Sequence, residues 1–424
     1  MITNQSALGS EPCYQETSQT VCPNCECGQM QVFYEVRNIP AHSVLLMPTR
    51  ERALNYPRRD LKLGFCPWCG FIANTIFDPS VHEYCTSCEE TQGFSPTFTA
   101  FARGVAERWM EQYHLEGKSV LEIGCGKGEF LVMLVELGAG KGIGIDPAFV
   151  PERLNTPVAS RLEFIQDLYS EKYAHLQADV ICCRHTLEHI APTYRFMNLL
   201  RRTIGKRMDR LVLFELPAMF RVLKEVAFWD IYYEHCSYFT TGSLARLFRW
   251  TGFDLLELKL EYDDQYILTA AKPSAGHRCA IFPGEDDLKE VADEVARFPA
   301  RFIKMKERWL ARINGMRTEG KKVVVWGGGS KAVSFLTTLE LNDQIDYVVD
   351  INPYKHGKFI PGTGHAVKSP ETLKQQRPDC VILMNPVYEN EVRTQLQDMG
   401  LHPEILPVET AGFPRIARSH ALHG

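Results

Sequence analysis

The stretch Ser119–Gly128 reads SVLEIGCGKG and decides the fold. A short apolar run, Ser119–Ile123, ends in three glycines at alternate positions, and a helical pattern begins at Glu129. Glycine lets the backbone approach a ligand closely, and open α/β sheets bind ligands at the carboxyl ends of their strands. The spacing G-x-G-x-G after an acid differs from the G-x-G-x-x-G of dinucleotide-binding units, so a nicotinamide pocket is the less favoured alternative. The stretch predicts an α/β sheet with a ligand pocket at this turn.

Two acids further along the chain fit the same pocket. Gly142–Ile145 reads as the next strand and is followed by Asp146, while Asp167 lies in the segment FIQDL beside Leu168. Carboxylates at such strand ends bind ribose hydroxyls. We expect Asp146 to bind a ribose and Asp167 to lie near an adenine amino group. The predicted cofactor-binding residues are Glu122, Gly124, Gly126, Gly128, Asp146, Asp167 and Leu168.

The rest of the chain divides into segments of different texture. From about residue 98 to 272, short apolar runs alternate with helical patterns, which predicts a parallel sheet with helices on both faces. The predicted strands are Ser119–Ile123, Gly142–Ile145, Asp179–Cys183, Leu211–Glu215, Lys322–Trp326, Ile345–Asp350 and Cys380–Met384. Apolar residues at three-to-four spacing predict a helix over 285–316 that Pro299 should kink or divide. We predict a cysteine-rich domain at 1–92, an α/β domain at 93–275, a helical connector at 276–318 and a Rossmann-like α/β domain at 319–424.

Composition excludes several classes of protein. The chain has 424 residues, 45% hydrophobic and 23% charged, with a net charge of -5. These values are typical of globular domains, and the acidic balance speaks against a nucleic-acid or membrane-surface protein. No apolar run reaches the ~20 residues that span a bilayer, and the first residues do not resemble a secretory signal. The sequence predicts a cytoplasmic protein with neither a membrane nor a nucleic acid as partner.

Cysteines crowd the first segment. Eight of the 14 lie in the first 88 residues, and four of them form two C-x2-C pairs, Cys22/Cys25 and Cys66/Cys69. Two such pairs supply four thiolates, a tetrahedral ligand set that favours zinc. A closed site of this kind has no position for reacting water, so we predict a structural Zn²⁺. A redox dithiol is the alternative for a single pair.

A third pair, Cys85/Cys88, leaves three possibilities open. It could bind a second metal with Cys27 or Cys13, replace one pair in the first site, or consist of two buried thiols. We slightly favour the buried thiols.

The segment Asp230–Phe239 reads DIYYEHCSYF and concentrates acid–base side chains. It places carboxylates, phenols and the imidazole of His235 within ten residues. Histidine is the side chain whose ordinary pKa suits proton abstraction near neutrality. An aromatic packing segment with one hydrogen-bonded histidine is the structural alternative.

These motifs, in this order, resemble the three-domain S-adenosylmethionine-dependent sugar C-methyltransferases. That family has a zinc domain, a class I methyltransferase core and the motif E-H-x-x-[YF]-F, matched here by Glu234–Phe239. The resemblance extends to the C-terminal segments Val323–Ala332, Tyr347–Asp350, Asn352–Lys358 and Pro361–Thr363. It implies S-adenosylmethionine as cofactor and a small-molecule substrate, a nucleotide-linked keto-deoxysugar. We expect a monomer or a homodimer.

The resemblance also implies roles for site residues. His235 would remove a proton next to the ketone, with Glu234 orienting it and Tyr232 and His189 stabilising the enolate oxygen. Tyr84, Lys331 and Asn385 would contact the substrate, Lys331 as a charge near phosphate. One departure from the family is Tyr84–Glu90, YCTSCEE, where Tyr- and Ser-rich sequence is expected. This departure leaves a non-sugar acceptor open, while a zinc-ribbon RNA methyltransferase and a non-catalytic scaffold are less favoured.

Overall fold

In this computed structural model, residues 20–81, 84–276 and 280–408 are described, and they form three β-sheets with flanking helices. The strands are β1 Gln31–Pro40, β2 Arg58–Phe65, β3 Ile72–Asn74, β4 Ser119–Ile123, β5 Lys141–Ile145, β6 Leu162–Ile165, β7 Val180–Arg184, β8 Leu211–Pro217, β9 Ser237–Tyr238, β10 Phe253–Glu261, β11 Tyr266–Pro273, β12 Val323–Trp326, β13 Tyr347–Val349, β14 Val367–Lys368, β15 Cys380–Leu383 and β16 Glu404–Pro407. The helices are α1 Arg50–Leu54, α2 Pro96–Gln112, α3 Glu129–Glu136, α4 Thr193–Ile204, α5 Met219–Glu225, α6 Thr241–Trp250, α7 Leu288–Thr318, α8 Ser330–Thr338, α9 Leu373–Gln376 and α10 Glu389–Asp398.

The central sheet has seven strands in the order β10-β11-β8-β7-β4-β5-β6. Neighbours from β8 to β6 are parallel, which confirms the α/β class and the four strands predicted there. The other edge differs from the all-parallel prediction, because β11 pairs antiparallel with both β8 and β10. The reason is the short turn between β10 and β11, since only an antiparallel partner can be reached without a long crossover. The glycine loop follows β4, near the middle of this sheet.

The C-terminal sheet has five parallel strands in the order β14-β13-β12-β15-β16. Its strands β12, β13 and β15 confirm the three predicted there to within two residues at each end. A second glycine loop, Gly327–Gly329, follows the central strand β12 and leads into α8. Both α/β sheets therefore present a glycine turn at the carboxyl end of a central strand, where ligands bind in this type of sheet.

The N-terminal sheet takes its last strand from the middle of the chain. Its order is β1-β2-β3-β9, all antiparallel, and β9 pairs Ile72 with Tyr238 and Ala73 with Ser237. This pairing fixes the segment that carries Glu234 and His235 against the cysteine-rich part of the chain.

Helix α7 links the N-terminal and C-terminal sheets through a shared core. It runs over 31 residues with Pro299 inside, so the proline does not divide it. Phe298 packs edge-on against Phe33 of β1, and the fully buried Trp309 packs against Phe335 of α8. No helix among the described residues is both long and apolar enough to cross a bilayer.

Candidate active site

One cavity of about 1090 Å³ opens where the central sheet, the N-terminal sheet and the C-terminal sheet meet. The predicted site residues that line it are Tyr84, Glu122, Gly124, Gly126, Asp146, Asp167, Leu168, His189, Tyr232, Glu234, His235, Lys331 and Asn385. Gly128 lies outside the lining, as do the four cysteines. Predicted site residues of the N-terminal, central and C-terminal domains therefore line one cavity.

The glycine loop has the backbone conformation that its sequence requires. Gly124 and Gly126 have φ of +70° and +55°, a region that other residues rarely adopt. A Cβ on Gly124 would lie 1.9 Å from the Thr186 hydroxyl oxygen, so the loop leaves no room for a side chain there. Gly128, with φ +84°, is the N-cap of α3 and packs closely on Phe164. Gly128 thus permits the turn into α3 without lining the cavity.

Asp146 ties the two strand ends of the pocket together. Its carboxylate accepts hydrogen bonds from the Gly126 amide at 2.8 Å and from the Ala148 amide at 2.7 Å. Burial raises its pKa, although the two amides act in the opposite direction. Lys127 closes the same corner by donating to the carbonyls of Cys88 and Ala148 at 2.9 and 2.7 Å. The carboxylate lies beside the glycine loop, and the predicted ribose contact remains a prediction.

Asp167 and Leu168 lie at the outer rim of the cavity. The Asp167 carboxylate accepts from the Leu168 amide at 2.8 Å and from the Tyr173 hydroxyl, and it pairs with Lys172. These contacts lower the pKa of Asp167 to about 2. Leu168 is 64% exposed. Both side chains border the cavity, and the predicted adenine contact remains a prediction.

Glu122 is buried at the base of the pocket. It is 2% exposed, and its Oε2 has no hydrogen-bond partner among the described residues. Burial raises its pKa to about 8, while the positive charge of Arg184 opposes that rise. Arg184 itself forms a two-pronged ion pair with Glu215 at 3.0 and 2.9 Å. An unpaired carboxyl oxygen that lines the cavity is suited to a cationic or hydrogen-bonding ligand.

The histidine cluster brings together the predicted acid–base residues. The His235 ring lies 4.1 Å from the Tyr232 ring and 4.7 Å, edge-on, from the His189 ring, measured between centroids. The Tyr84 ring packs on His189 at 5.5 Å. His189 Nδ1 lies 3.1 Å from the carbonyl oxygen of Glu234. Two imidazoles and two phenols thus meet at one wall of the cavity.

Glu234 has partners that the sequence did not reveal. Its Oε1 accepts from the Ser43 amide at 2.8 Å and from the Ser43 hydroxyl, across 191 positions of sequence. Its Oε2 has no hydrogen-bond partner among the described residues, and burial raises its pKa to about 7. The contacts recorded for this carboxylate are with the N-terminal segment, and its predicted role in orienting His235 remains a prediction.

Glu188 is a buried carboxyl that sequence reasoning missed as a site residue. It is 2% exposed, lines the cavity and has an unpartnered Oε2 among the described residues. Burial raises its pKa to about 8, and its Oε1 lies 3.8 Å from His185 Nδ1. One carboxylate oxygen of Glu188 and one ring nitrogen each of His189 and His235 all lie within 4.8 Å of one another. Its position next to His189 in the sequence was the signal that could have identified it.

The C-terminal side of the cavity is held by ion pairs and amide pairs. Lys331 forms an ion pair with Asp230, which also binds Arg221 at 2.5 Å. Asn385 exchanges two hydrogen bonds of 3.0 Å with the amide of Gln265. Both predicted substrate residues face the cavity while they are engaged with residues of the central domain.

Glu89 connects all three parts of the chain at the cavity. Its carboxylate forms an ion pair with Arg153 at 2.6 Å and accepts from the Asn352 amide at 2.8 Å. These contacts lower the pKa of Glu89, although burial alone would raise it. The N-terminal segment therefore binds both α/β units through one carboxylate.

The cysteine cluster fits a tetrahedral metal. Cys22, Cys25, Cys66 and Cys69 are buried, and their sulfurs all lie within 4.8 Å of one another. The Sγ–Sγ distances are 3.6 Å for Cys22 and Cys69 and 3.9 Å for Cys25 and Cys66. A tetrahedron with the usual zinc–sulfur length of ~2.3 Å has edges of about 3.8 Å. The four residues therefore fit Zn²⁺ with no further ligand.

The third cysteine pair does not join a metal cluster among the described residues. Cys88 is buried with its Sγ 3.6 Å from His42 Nε2, and Cys85 is partly exposed. The preferred prediction was two buried thiols, and it is correct for Cys88 and wrong for Cys85. Cys13 lies outside the described residues.

Comparison with known families decides the class of reaction. Residues 97–258 match the model of a methyltransferase domain, and residues 284–402 match that of a C-methyltransferase C-terminal domain.

The chain is an S-adenosylmethionine-dependent C-methyltransferase.

Among curated relatives, the methyltransferase is 26% identical over 293 residues to the C-methyltransferase NovU of Streptomyces niveus. That match covers 65% of this chain and 68% of NovU. It is 37% identical over 79 residues to the ribosomal protein L11 methyltransferase of Histophilus somni, covering 17% of this chain and 26% of that protein. The second match is confined to a short stretch.

Solved structures similar to the methyltransferase include CalO1, a methyltransferase of calicheamicin biosynthesis with S-adenosylhomocysteine bound. Its sequence identity is 19% and its TM-score 0.33, covering 42% of this chain and 56% of CalO1. Another is N,N-8-amino-8-demethyl-D-riboflavin dimethyltransferase from Streptomyces davawensis. It is 16% identical with a TM-score of 0.34, covering 42% and 56% of the two chains.

The observed pocket fits the cofactor that this class uses. The glycine loop exposes backbone where a side chain would not fit, Asp146 stands beside it, and Glu122 supplies a buried oxygen without a partner. These features suit a nucleoside with a cationic sulfur centre. The same cavity is also lined by the histidine cluster and by Gly327 and Gly329 of the second glycine loop.

Proposed function

We propose that the protein methylates the carbon next to a ketone of a nucleotide-linked deoxysugar by His235-assisted enolate formation. The observation that carries this proposal is the shared cavity. The glycine loop after β4, the histidine cluster and the second glycine loop, Gly327–Gly329, all contribute to its lining. The family resemblance described above supports the choice of a keto-sugar nucleotide as acceptor class.

The chemistry follows from the acidity of a carbon next to a carbonyl. His235 removes that proton, and Tyr232 and His189 donate hydrogen bonds to the developing enolate oxygen. The cofactor supplies the electrophilic methyl group when it is bound. The rings of these three residues pack together, so donors and base are held in place before the acceptor arrives. Glu234 belongs to the same wall and orients or assists the base.

The remaining predicted contacts extend this proposal. The cofactor end of the cavity is formed by Glu122, Gly124, Gly126, Asp146, Asp167 and Leu168, and Gly128 supports the turn. Tyr84, Lys331 and Asn385 form the acceptor end, where Lys331 attracts a phosphate. A structural zinc is held by four cysteines, and the short distances between their sulfur atoms support that assignment: Cys22, Cys25, Cys66 and Cys69. The predicted domain boundaries at residues 92, 275 and 318 separate the parts of the chain that supply the cofactor end and the acceptor end of the cavity.

The acceptor is tested directly with purified protein. We expect thymidine-diphosphate keto-deoxysugars to gain one methyl group by mass spectrometry, and their α-proton to exchange in deuterated water before methylation. A parallel panel of non-sugar ketones tests the other acceptor class. Methylation of those ketones without any nucleotide-sugar turnover would contradict the sugar assignment and leave the C-methyltransferase class standing.

A further inference from the structure

The segment next to Val44, which lines the cavity, holds one oxygen of Glu234 through Ser43. The Ser43 amide, at 2.8 Å, and the Ser43 hydroxyl both donate to Oε1. Ser43 is 1% exposed and Glu234 is 1% exposed, so water does not compete for these bonds. Two donors on the same oxygen restrict the orientation of the carboxyl group, while Oε2 is buried without a hydrogen-bond partner among the described residues.

His42 lies near the same carboxylate oxygen as Ser43. Its Nδ1 is 3.9 Å from Glu234 Oε1, which exceeds hydrogen-bond distance, and it accepts from the Val44 amide at 3.3 Å. An accepting Nδ1 presents a lone pair and not a positive charge toward Glu234. Ser43 therefore favours the ionised carboxylate, as does the backbone amide of Glu234 itself.

We propose that Ser43 is a positioning residue for the methyl transfer: its amide and hydroxyl fix Oε1 of Glu234, so that the carboxyl group is held in one orientation from which it assists His235, the proposed base. This inference rests on the proposed function and adds a role for the N-terminal segment in it. Glu234 lines the cavity together with His235. Ser43 acts through Glu234 and lies in the loop after β1, 191 positions away in sequence.

The charge of Glu234 depends on the balance between burial and these donors. Burial raises its pKa to about 7, and the Ser43 bonds hold it below the value that burial alone would give. The titratable groups that face Glu234 from the surrounding elements are His42, Tyr84, Glu188, His189, Tyr232, His235 and Tyr238. Loss of the Ser43 hydroxyl should therefore shift ionisation of Glu234 to higher pH.

The test compares Ser43→Ala with Ser43→Thr, which keeps the hydroxyl. In Ser43→Ala we expect the acidic limb of the kcat–pH profile to move up by about one to two pH units, since a hydrogen bond to the charged form has been lost. Cofactor affinity by calorimetry should stay normal, and Ser43→Thr should restore most of the profile. Ser80→Ala is the matched control, because the Ser80 hydroxyl binds a carboxylate, Asp78, at 2.6 Å on the exposed surface.

A second measurement does not depend on the acceptor. The carbonyl stretch of the un-ionised Glu234 side chain is titrated by infrared difference spectroscopy and assigned by its loss in Glu234→Gln. We expect its midpoint to rise in Ser43→Ala. If that variant does not fold, Ser43→Cys replaces it, because a thiol is a weaker donor of similar size.

The outcomes separate the two proposals. If no nucleotide-sugar is methylated but the infrared midpoint rises, the acceptor assignment fails and the hold of Ser43 on Glu234 stands. An unchanged infrared midpoint, or a kcat–pH profile that keeps its shape while kcat falls, overturns the positioning role.

Discussion

At the scale of single residues, His235 is the side chain on which the proposed chemistry depends most. His235→Asn keeps polarity and removes a base that titrates near neutrality. We expect a fall in kcat of about 10²–10⁴-fold and slower α-proton exchange, with cofactor binding retained. Stopped assays, exchange in deuterated water and calorimetry measure the three effects. Normal turnover by a folded, cofactor-saturated variant would transfer the role of base to Glu234 or His189.

Asp146 is the residue whose loss should be felt in cofactor affinity. Its carboxylate satisfies the Gly126 and Ala148 amides, so removing it leaves both donors unmatched and disturbs the loop. We expect Asp146→Ala to weaken S-adenosylmethionine binding by about 1–3 kcal/mol. Isothermal titration calorimetry provides the measurement, and an unchanged affinity would remove Asp146 from the cofactor site.

The sequence predicted residues that line the cavity but not all their neighbours. His235, Glu234 and Asp146 stand in motifs, and the family resemblance predicted one site for them. Ser43 and Glu188 have no motif of their own. The contact between Ser43 and Glu234 spans 191 positions, and a contact of that range leaves no trace in local periodicity.

At the scale of elements, the glycine loop combines two constraints at Gly124. Its φ is +70°, and an added Cβ would clash with Thr186. We expect Gly124→Ala to reduce cofactor binding and stability, and Gly124→Ala/Thr186→Ala to recover only part of both, because the second change removes the clash and not the backbone strain.

The control for that loop is Gly104→Ala in α2. A Cβ there meets only the end of the Arg108 side chain at 3.7 Å, so the site accepts alanine. Alanine should stabilise this helix by about 1 kcal/mol. Urea unfolding of the variants provides the comparison. A Gly124→Ala protein with normal affinity would contradict the assigned role of the loop.

Strands and helices were predicted where one periodicity dominated. The buried runs such as Ser119–Ile123 were assigned correctly because parallel sheets bury both faces. The antiparallel edge was missed, although Phe253–Glu261 shows alternation that indicates a strand with one solvent-facing side. Pro299 was expected to kink or divide the helix, and α7 continues through it. Tertiary packing of Phe298 and Trp309 outweighs the one helical hydrogen bond that proline removes.

At the scale of the whole molecule, the four-cysteine cluster should support a site that it does not line. The N-terminal segment carries both the four cysteines and Ser43. We expect one zinc per chain in the wild type by elemental analysis, and in Cys22→Ser a loss of zinc, of thermal stability and of methylation. Cys27→Ser is the control, because Cys27 is exposed and outside the cluster. Full zinc content in Cys22→Ser would contradict the assignment.

The buried carboxyls predict how stability depends on pH. Burial raises the pKa of Glu122 and Glu188 to about 8 and that of Glu234 to about 7. Between the ordinary carboxyl pKa and these values, the folded protein binds more protons than the unfolded chain, so stability falls as pH rises. We expect the free energy of unfolding of the cofactor-free protein to decline from pH 5 to 8, and Glu188→Gln to flatten that decline. A decline of equal slope in this variant would show that Glu188 ionises normally.

The same carboxyls bear on how the spent cofactor leaves. S-adenosylmethionine has a positive sulfur, and the thioether that remains after transfer has none. Carboxyls that titrate near neutrality can release a proton beside the cation and take one up again when the charge disappears. The cavity then attracts the cationic cofactor more strongly than the neutral product, and the proton released on binding is regained after transfer, so that these carboxyls gain no net proton over a turnover. Alkaline conditions should therefore widen the gap between affinity for the methyl donor and inhibition by its product.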